Sequence, residues 1–298
     1  MKIRIGTRKS ELAMFQANYV ADKLIDNGIE IEIVPIISEG DISEGPLHEI
    51  GGKGLFVNKL EEALSANEID CAVHSLKDVP AKIDNRFIIN AVMPRESYED
   101  ILVKNSDVEL SMMPTGSIVG TSSPRRSAQI LNKYPNLIIK PIRGNISTRL
   151  SKLRNENYDA ILIAEAAINR LEIGCKYISR FHIKEMLPAA SQGYIGIQCL
   201  NTDNEISRAV SNINSSIDMA LANAERVFVA QLNGSCTSPI CILCEYKNNI
   251  VNIHAKVLSL DGKKQISKTT TADLLNLNQT ILSLSKEFID DGARSLIL

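Results

Sequence analysis

The clearest fold signal in the chain is the segment Gly116-Ser-Ile-Val-Gly-Thr-Ser-Ser-Pro-Arg-Arg126. It predicts a short buried strand, a turn and the start of a helix, with Ser123 as the N-cap and Pro124 in the first helical position. A similar layout follows, where Leu137-Ile-Ile-Lys-Pro-Ile142 leads into Arg143-Gly-Asn-Ile-Ser-Thr-Arg149 and a second helical run. This alternation of strands and helices predicts parallel or mixed sheets with helices on both faces.

The first of these helices has two arginines, Arg125 and Arg126, in its first turn. Cations are unfavourable there, because the N-terminal end of a helix already has partial positive charge. They become favourable if an anionic ligand lies among them, and the second junction repeats the pattern with Arg143 and Arg149. A solvated basic face is the alternative, but the repetition at two strand-to-helix junctions favours an anion-binding site.

Length and composition limit the class of protein. At 298 residues the chain is long enough for roughly two or three domains. Its hydrophobic content of 44% and charged content of 23% are ordinary for a globular protein with sizeable cores. A formal net charge of −2 argues against a general nucleic-acid or membrane binder, so the basic character is local. Because we find neither an apolar stretch that could cross a bilayer nor a signal peptide, we expect a cytoplasmic protein with reduced thiols.

The predicted elements divide the chain into three parts. In the first part, strands at 2–6, 30–37 and 69–75 alternate with helices at 10–27 and 54–66. A crossover linker at 91–98 leads to the second part, which has strands at 117–120, 137–141 and 159–163, and a further strand follows at 194–200. The last part predicts a helix at 217–231, strands at 240–245, 250–259 and 264–270, and a closing helix at 274–291. Asn248-Asn249 and Asp261-Gly262 are hairpin signals, so these three strands should form a small antiparallel sheet.

Ligands bind at the carboxyl ends of the strands in open α/β sheets. The residues that the predicted strands place there are mostly cationic, with few carboxylates: Arg8, Ser10, Asp41, His74, Lys77, Asp78, the run 121–126, Arg143, Arg149 and Arg170. We therefore expect a ligand with several negative groups, either carboxylates or phosphates. Neither Gly-x-x-x-x-Gly-Lys-Ser/Thr nor Gly-x-Gly-x-x-Gly occurs in the sequence, which argues against a nucleotide.

Asp78 stands out among these residues, since it follows a buried apolar strand, next to Lys77 and before Pro80. One interpretation is a helix or turn cap. The other is a carboxylate isolated among cations and available to a cationic reaction centre. Lys53, in the flexible Gly51-Gly-Lys-Gly54, is either a solvated loop lysine or a side chain that reaches over a ligand. His74 is expected to be a packed strand residue rather than a catalyst.

The cysteines occur in two kinds of setting. Cys241-x-x-Cys244 resembles half of a zinc site, but no second pair of Cys or His follows, and the surrounding apolar run predicts a strand. We therefore expect core thiols there, and no metal. Cys236 instead lies in a loop among Gly, Ser, Thr and Pro, which makes it the best candidate for a reactive or modified thiol. It has no partner base nearby in sequence, so protease-like chemistry has little support.

Several motifs together resemble those of the hydroxymethylbilane synthase family, also called porphobilinogen deaminases, nearly from end to end. They are Ile5-Gly-Thr-Arg-Lys-Ser10, Gly51-Gly-Lys-Gly-Leu-Phe56, Ala72-Val-His-Ser-Leu-Lys-Asp-Val-Pro80, Val119-Gly-Thr-Ser-Ser123 with Arg125-Arg126, Arg143-Gly-Asn145 with Thr148-Arg-Leu150, and Gln192-Gly193 with Gly196-Ile197. The resemblance implies an α/β fold of two lobes like type II periplasmic binding proteins, with mixed sheets, and a small α+β C-terminal domain with a three-stranded antiparallel sheet. It implies a first lobe at 1–93 and 194–212, a second lobe at 99–188, and a cofactor-attachment domain at 216–298.

The resemblance also implies a chemistry. A transferase of this family makes hydroxymethylbilane in tetrapyrrole (haem) biosynthesis. Four porphobilinogen molecules are added to a covalent dipyrromethane primer, each with loss of ammonia, and the product is released by hydrolysis. Cys236 falls where the family attaches this dipyrromethane cofactor by a thioether.

Roles of individual residues follow from the same resemblance. The residues implied to hold cofactor carboxylates are Lys77, Ser123, Arg125, Arg126 and Arg149. Those implied to serve the substrate and the growing chain are Arg8, Ser10, Gln16, Arg143, Arg149 and Arg170, with Lys53 as a further candidate. Asp78 would accept hydrogen bonds from pyrrole N–H groups and stabilise the positive charge that forms when ammonia leaves. The expected partner is porphobilinogen and the expected state is a monomer, with no nucleic acid, membrane or metal.

The sequence departs from the family pattern in places. Family members usually have Gly-Gly-Cys at the attachment loop, whereas this chain has Gly234-Ser235-Cys236, so Ser235 replaces the glycine directly before the cysteine. Glu39 and Glu49 stand where many bacterial relatives have basic residues. These two glutamates put in doubt any carboxylate-holding role of their loops. The main alternative function is a two-lobed solute-binding protein for a polycarboxylate ligand, which would need export and gives Cys236 no role. A phosphoryl-ligand enzyme is a second alternative, but it lacks a nucleotide loop and an evident metal cluster.

Overall fold

The structure is a computed structural model of the chain, and it describes residues 1–37, 57–202 and 204–297. Its strands are β1 (Lys2–Arg8), β2 (Glu30–Ile36), β3 (Cys71–Ser75), β4 (Phe87–Val92), β5 (Asp100–Lys104), β6 (Ile118–Gly120), β7 (Ile138–Lys140), β8 (Ala160–Ala164), β9 (Ile178–Arg180), β10 (Ile195–Leu200), β11 (Ile240–Lys247), β12 (Ile250–Leu258) and β13 (Gln265–Ala272). Its α-helices are α1 (Glu11–Ile25), α2 (Asn58–Ser65), α3 (Pro124–Lys133), α4 (Ile146–Asn155), α5 (Glu165–Arg170), α6 (Glu205–Ser211), α7 (Ser216–Gln231), α8 (Leu277–Asp290) and α9 (Ala293–Leu296). Leu76–Asp78 forms a 3-10 turn directly after β3.

The described chain divides into two compact units. Unit 1 comprises Met1–Glu96 and Gly193–Ala222, and unit 2 comprises Ser97–Gln192 and Asn223–Leu298. The chain therefore leaves unit 1 after β4 and returns to it for β10. The finer division expected above, with 99–188 and 216–298 as separate domains, stays a prediction.

Unit 1 is built on one mixed sheet in the order β2-β1-β3-β10-β4. Strand β1 pairs in parallel with β2 and β3, whereas β10 runs antiparallel to β3 and β4. The apolar side chains of β1 and α1 pack into its core, where Ile3, Ile5, Val20 and Leu24 are fully buried. Because β1 and β3 are parallel, their carboxyl ends lie at the same edge of the sheet.

Unit 2 contains a second mixed sheet in the order β7-β6-β8-β5-β9. Strand β6 is parallel to β7 and β8, and β5 is antiparallel to β8 and β9. Every residue of β5 and β8 is buried, as expected for central strands whose two faces are both covered. The mixed sheets in both units agree with the predicted fold class.

Helix α3 begins as the sequence predicts. Ser123 is its N-cap, with its Oγ accepting a hydrogen bond from the backbone N–H of Arg126 at 3.5 Å, and Pro124 is its first residue. Asn145 caps α4 in the same way, because its Oδ1 accepts from the backbone N–H of Thr148 at 2.8 Å. The arginine-bearing first turn of α3 thus follows closely after the end of β6.

The C-terminal part of unit 2 holds the predicted three-stranded antiparallel sheet, in the order β11-β12-β13. Asn248 and Asn249 form the first hairpin turn with φ values of 52° and 61°, and Gly262 lies in the second with φ of 74°. Gly262 packs on α3, since a Cβ there would lie 2.3 Å from the carbonyl oxygen of Ala128. Asn132 also donates a hydrogen bond to the Gly262 carbonyl at 2.7 Å, so the hairpin is tied to the arginine-bearing helix.

The structure corrects several sequence expectations. Residues 91–98 are not all linker, because β4 extends to Val92. The elements that were not predicted are strands β4, β5 and β9 and helices α5, α6 and α9, and α8 begins three residues later than expected. The predicted helix at 54–66 is described only from 57 onward, where α2 covers Asn58–Ser65. None of the helices in the described ranges has the length and apolar character of a membrane span.

Candidate functional site

The two arginines at the start of α3 share one carboxylate, that of Asp100, which is the first residue of β5. Nη1 of Arg125 lies 2.7 Å from Asp100 Oδ2, and Nη2 and Nε of Arg126 lie 2.6 and 2.9 Å from Oδ1. The Asp100 side chain is 0% exposed, and the two arginine side chains are 5% and 8% exposed. Asp100 was not among the site residues predicted from the sequence. An internal carboxylate therefore supplies part of the negative charge that was expected from a ligand.

Backbone carbonyls complete the hydrogen bonding of the arginine pair. Arg125 Nη1 donates to the carbonyl of Leu187 at 2.6 Å, and Arg126 Nη1 donates to the carbonyl of Leu162 at 3.0 Å. These two contacts come from different elements, since Leu162 belongs to β8 and Leu187 lies between β9 and β10. Both guanidinium groups are consequently held in fixed positions rather than solvated on a basic face.

The segment 187–192, which we call the strap, links the arginine pair to α7 and β11. Gln192 Nε2 donates to Asp100 Oδ1 at 3.0 Å and to the carbonyl of Tyr98 at 2.7 Å. At Ser191, the backbone N–H donates at 2.6 Å to Glu225 Oε2 on α7. Glu225 is fully buried, and its Oε1 accepts from the Cys244 N–H at 2.9 Å. One strap therefore contacts both the arginine pair and the helix that leads to the Cys236 loop.

Three other predicted cations of unit 2 follow strands: Arg143 lies in the loop after β7, Arg149 lies on α4, and Arg170 ends α5. Arg143, Arg149 and Arg170 are half-buried. Arg149, on α4, donates from Nε to the carbonyl of Gly144 at 2.8 Å, which fixes it over the turn that precedes its helix. Ser123, also predicted in the site, is engaged as the N-cap of α3.

Cys236 lies in an irregular loop between α7 and β11, and its side chain is exposed. Residues on either side of it form a compact turn: Ser235 Oγ lies 2.8 Å from Thr237 Oγ1, and the Ser235 N–H donates to Ser238 Oγ at 3.1 Å. A side chain at position 234 would need its neighbours to shift, because a Cβ on Gly234 would lie 2.4 Å from Ile240 Cδ1 and 3.0 Å from Val229 Cγ1. Ser235 is accommodated in this turn by its own hydrogen bonds, whereas Gly234 is closely packed.

Four of the other cysteines are buried, and Cys175 is half-buried. All six lie in described ranges and none forms a disulfide. Cys241 and Cys244 are buried in β11, as predicted, and burial raises the pKa of Cys241 to about 12. Within the described residues, no group of three or more His, Cys, Asp or Glu side chains is placed to hold a metal ion.

The predicted residues of unit 1 gather around the ends of β1 and β3. Gln16 of α1 is buried and exchanges hydrogen bonds with Ser75 at 2.9 and 3.1 Å. Ser10 is the N-cap of α1, accepting from the Ala13 N–H at 3.4 Å, and Arg8 is half-buried at the end of β1. Lys53 lies outside the described residues, as do Glu39, Asp41 and Glu49.

Asp78 ends the 3-10 turn that follows β3, and its side chain is exposed, whereas Lys77 is half-buried. Asp78 is not the cap of this turn or of a described helix, which removes one of the two interpretations of the sequence. Its carboxylate also makes no ion pair with a side chain that the structure describes. Asp78 belongs to unit 1, and the arginine pair and Cys236 belong to unit 2.

His74 is a packed strand residue, as expected. It is buried, and its Nε2 lies 3.0 Å from Gln198 Oε1 on the neighbouring strand β10. Gln198 Nε2 donates to Glu61 Oε1 at 2.7 Å, so its oxygen faces the histidine and Nε2 of His74 is the donor. Burial raises the pKa of Glu61, and the hydrogen bond from Gln198 opposes that shift.

Comparison with known proteins shows similarity along nearly the whole chain. The family model described as "Porphobilinogen deaminase, dipyromethane cofactor binding domain" matches residues 3–208, and "Porphobilinogen deaminase, C-terminal domain" matches residues 219–288. A porphobilinogen deaminase of Geobacillus sp. (strain WCH70) is 40% identical over 99% of this chain and 96% of its own length. One of Staphylococcus carnosus (strain TM300) is 39% identical over 99% of this chain and 97% of its own length.

Solved structures with partial backbone similarity include two binding proteins of ABC transporters. A periplasmic substrate-binding protein of an ABC transporter from Coxiella burnetii is 14% identical and covers 75% of this chain and 96% of its own length, with a TM-score of 0.45. A probable amino-acid ABC transporter extracellular-binding protein from Bacillus subtilis is 13% identical and covers 77% and 96%, with a TM-score of 0.41.

Proposed function

Because the chain belongs to the porphobilinogen deaminase family, it is a transferase of tetrapyrrole biosynthesis with hydroxymethylbilane synthase activity, and we propose that its own residues perform the reaction as follows. Porphobilinogen is the substrate. Each condensation releases the substrate's aminomethyl nitrogen as ammonia, forms one carbon–carbon bond to the terminal ring, and removes one proton from that ring. After four condensations, one water molecule releases hydroxymethylbilane.

The observation that supports this proposal most is a buried, positively charged pair in the same unit as an exposed thiol. Arg125, Arg126 and Asp100 together have a formal charge of +1, and Cys236 lies on an exposed loop of that unit. Porphobilinogen-derived rings have acetate and propionate side chains, so guanidinium groups and a thiol are the donor set that a dipyrromethane requires. We propose a thioether from Cys236 Sγ to this cofactor, which when bound supplies the primer end that is elongated.

Cationic residues and neutral hydrogen-bonding residues of both units are proposed to bind carboxylates. Those assigned to the cofactor are Lys77, Ser123, Arg125, Arg126 and Arg149, and those assigned to the substrate and growing chain are Arg8, Ser10, Gln16, Arg143, Arg149, Arg170 and Lys53. Each bidentate contact between arginine and carboxylate contributes about 1.5–3 kcal/mol. The caps and hydrogen bonds that fix Ser10, Gln16 and Ser123 lower the entropy cost of ligand binding.

Asp78 is the proposed catalytic carboxylate. It ends the turn after β3, next to Lys77, and it is exposed and therefore accessible to a ligand. Its carboxylate accepts a hydrogen bond from the pyrrole N–H of the reacting ring. It also stabilises the positive charge that develops on that ring as ammonia leaves.

Product analysis with purified protein tests the activity. We expect porphobilinogen to disappear with release of one ammonia per molecule, and four molecules to be consumed for each hydroxymethylbilane. A solute-binding protein for a polycarboxylate would instead bind porphobilinogen reversibly and release no ammonia. Stoichiometric, reversible binding without ammonia would therefore contradict the proposed function.

We also propose that the chain works as a cytoplasmic monomer. Its formal net charge of −2 gives no general attraction to nucleic acid or lipid. Sedimentation equilibrium of the purified protein should give the mass of one chain. A stable dimer at micromolar concentration would contradict this part of the proposal.

A further inference from the structure

We propose that Asp100 is a positioning residue that holds Arg125 and Arg126 in the orientation in which they receive a carboxylate of the cofactor. This inference rests on the proposed function, and it adds a residue that neither motif of the arginine junctions contains. Asp100 lies on β5, whereas the arginines lie on α3, so the three meet only in the folded unit.

The first argument is the charge balance of the cluster. Two guanidinium groups and one carboxylate leave a formal charge of +1 in a group whose side chains are at most 8% exposed. Burial of an uncompensated charge is costly, and a bound carboxylate reduces that cost by supplying the missing negative charge. Without Asp100, two adjacent buried cations would repel each other and would have to move apart or towards solvent.

Arg125 and Arg126 use different nitrogens of their guanidinium groups to contact Asp100. The contacts of Arg125 to Asp100 and to the Leu187 carbonyl both use Nη1. These contacts do not use the edge formed by Nε and Nη2, which is the edge that binds a carboxylate side-on. Arg126 instead donates hydrogen bonds from its Nε and Nη2 to Asp100 Oδ1. Asp100 therefore holds Arg125 by Nη1 and leaves the Nε and Nη2 edge of its guanidinium group to bind a ligand carboxylate.

Asp100 is itself held in place by a hydrogen bond from the strap. Gln192 Nε2 donates to Asp100 Oδ1 at 3.0 Å, and the same strap accepts Arg125 through Leu187. Ser191 of the strap is bonded to Glu225 on α7, the helix that ends just before the Cys236 loop. The Asp100 carboxylate therefore belongs to a hydrogen-bonded path that runs from the arginine pair through the strap to α7, and these bonds restrict its movement.

Two variants compare a positioning carboxylate with one that is only structural. Asp100→Asn removes the charge and keeps the shape. Glu165→Gln removes a mostly buried carboxylate from the same unit, where its Oε1 pairs with Arg180 Nη2 at 2.6 Å and not with the α3 arginines. Each variant is made with Cys236 intact and with Cys236→Ser, which cannot form the thioether. Intact mass gives the fraction of chains that contain the cofactor, and thermal unfolding gives the Tm of each protein.

If Asp100 positions the arginines, Asp100→Asn lowers the loaded fraction by about tenfold. It also lowers the Tm difference between the loaded protein and its Cys236→Ser counterpart to less than half of the difference measured when Asp100 is present. A merely structural carboxylate lowers both Tm values equally and leaves that difference unchanged, which is the result expected for Glu165→Gln. A wild-type loaded fraction and Tm difference in Asp100→Asn would overturn the inference.

Two further outcomes are distinguishable. If Asp100→Asn does not fold, Asp100→Glu is used instead, because it keeps the charge but moves it by one methylene group. A positioning role predicts that the loaded fraction of Asp100→Glu falls, whereas the Tm of its Cys236→Ser form stays nearly normal. Full loading of Asp100→Glu would contradict the inference. If the wild-type chain itself has no added mass, the proposed function fails and the inference fails with it.

Discussion

Replacement of Asp78 by asparagine separates catalysis from folding. The Asp78 side chain is exposed, ends a 3-10 turn, and makes no ion pair with the side chains that the structure describes. Asparagine has the same shape and still accepts a hydrogen bond through its Oδ1. We therefore expect the free energy of unfolding to change by less than about 0.5 kcal/mol, as for most exposed substitutions.

The effect on the rate comes from the lost charge. A carboxylate about 4 Å from a unit positive charge attracts it by about 4 kcal/mol at an effective dielectric constant of ~20, and by about 1 kcal/mol in bulk water. Because the side chain is exposed before ligand binds, the gain reaches the larger value only when bound rings exclude water from it. The expected loss in kcat is therefore about a thousandfold with water excluded, and about fivefold if water remains.

The assay is porphobilinogen consumption by protein whose cofactor content has been measured by intact mass, so that lost loading is not mistaken for lost turnover. Asp84→Asn is the matched control, because Asp84 is an exposed aspartate of the same unit that pairs with Arg86 at 3.0 Å. It should turn over normally. Near-normal kcat in fully loaded Asp78→Asn would remove Asp78 from the mechanism, and a large loss in Asp84→Asn would show that the effect is not specific.

Two predictions concern stability. Gly262→Ala should lower the free energy of unfolding by about 2–3 kcal/mol in urea, because φ is 74° and the Cβ would lie 2.3 Å from the Ala128 carbonyl oxygen. Gly28→Ala, with φ of 77° and no atom within 4 Å, should cost only about 1 kcal/mol, and equal costs would contradict the packing argument. Burial raises the pKa of Glu99, and Glu165 raises it further, so the stability linked to this group is present at low pH and is lost as pH rises through its folded-state pKa. Glu99→Gln should therefore stabilise the protein at pH 8 by roughly 0.5 kcal/mol and not at pH 4, and a pH-independent effect would contradict this assignment.

Local signals in the sequence predicted those parts of the fold that depend on near neighbours. The start of α3 forms as expected, with Ser123 as its cap and Pro124 as its first residue. The hairpin turns at Asn248-Asn249 and Gly262 also form as expected, since each depends on a few adjacent residues. Strands β5 and β9 pair with partners far along the chain, so no hairpin turn marks the pairing. β9 has three residues, as β6 and β7 do, but Ile178-Ser-Arg180 is not an apolar run and no helix start follows it, and these are the signals that mark β6 and β7.

The candidate site was only partly predictable for the same reason. The arginines of α3 are recognisable because they contradict the helix dipole, but the carboxylate that resolves this conflict comes from β5. Its one signal is an aspartate placed immediately before the buried run Ile101-Leu-Val103, where a charged residue needs a partner. The proposed roles of Asp78 and Cys236 in tetrapyrrole chemistry rest on the family resemblance, because residue chemistry alone supports only a polyanion site and a reactive thiol.

The intact mass of the purified chain, measured beside Cys236→Ser, decides whether a dipyrromethane is attached at this cysteine. We expect the wild-type chain to be heavier than its sequence by two porphobilinogen units less two molecules of ammonia, and the variant to have the mass of its sequence. A wild-type chain of unmodified mass, or the same added mass on Cys236→Ser, would contradict the proposed attachment.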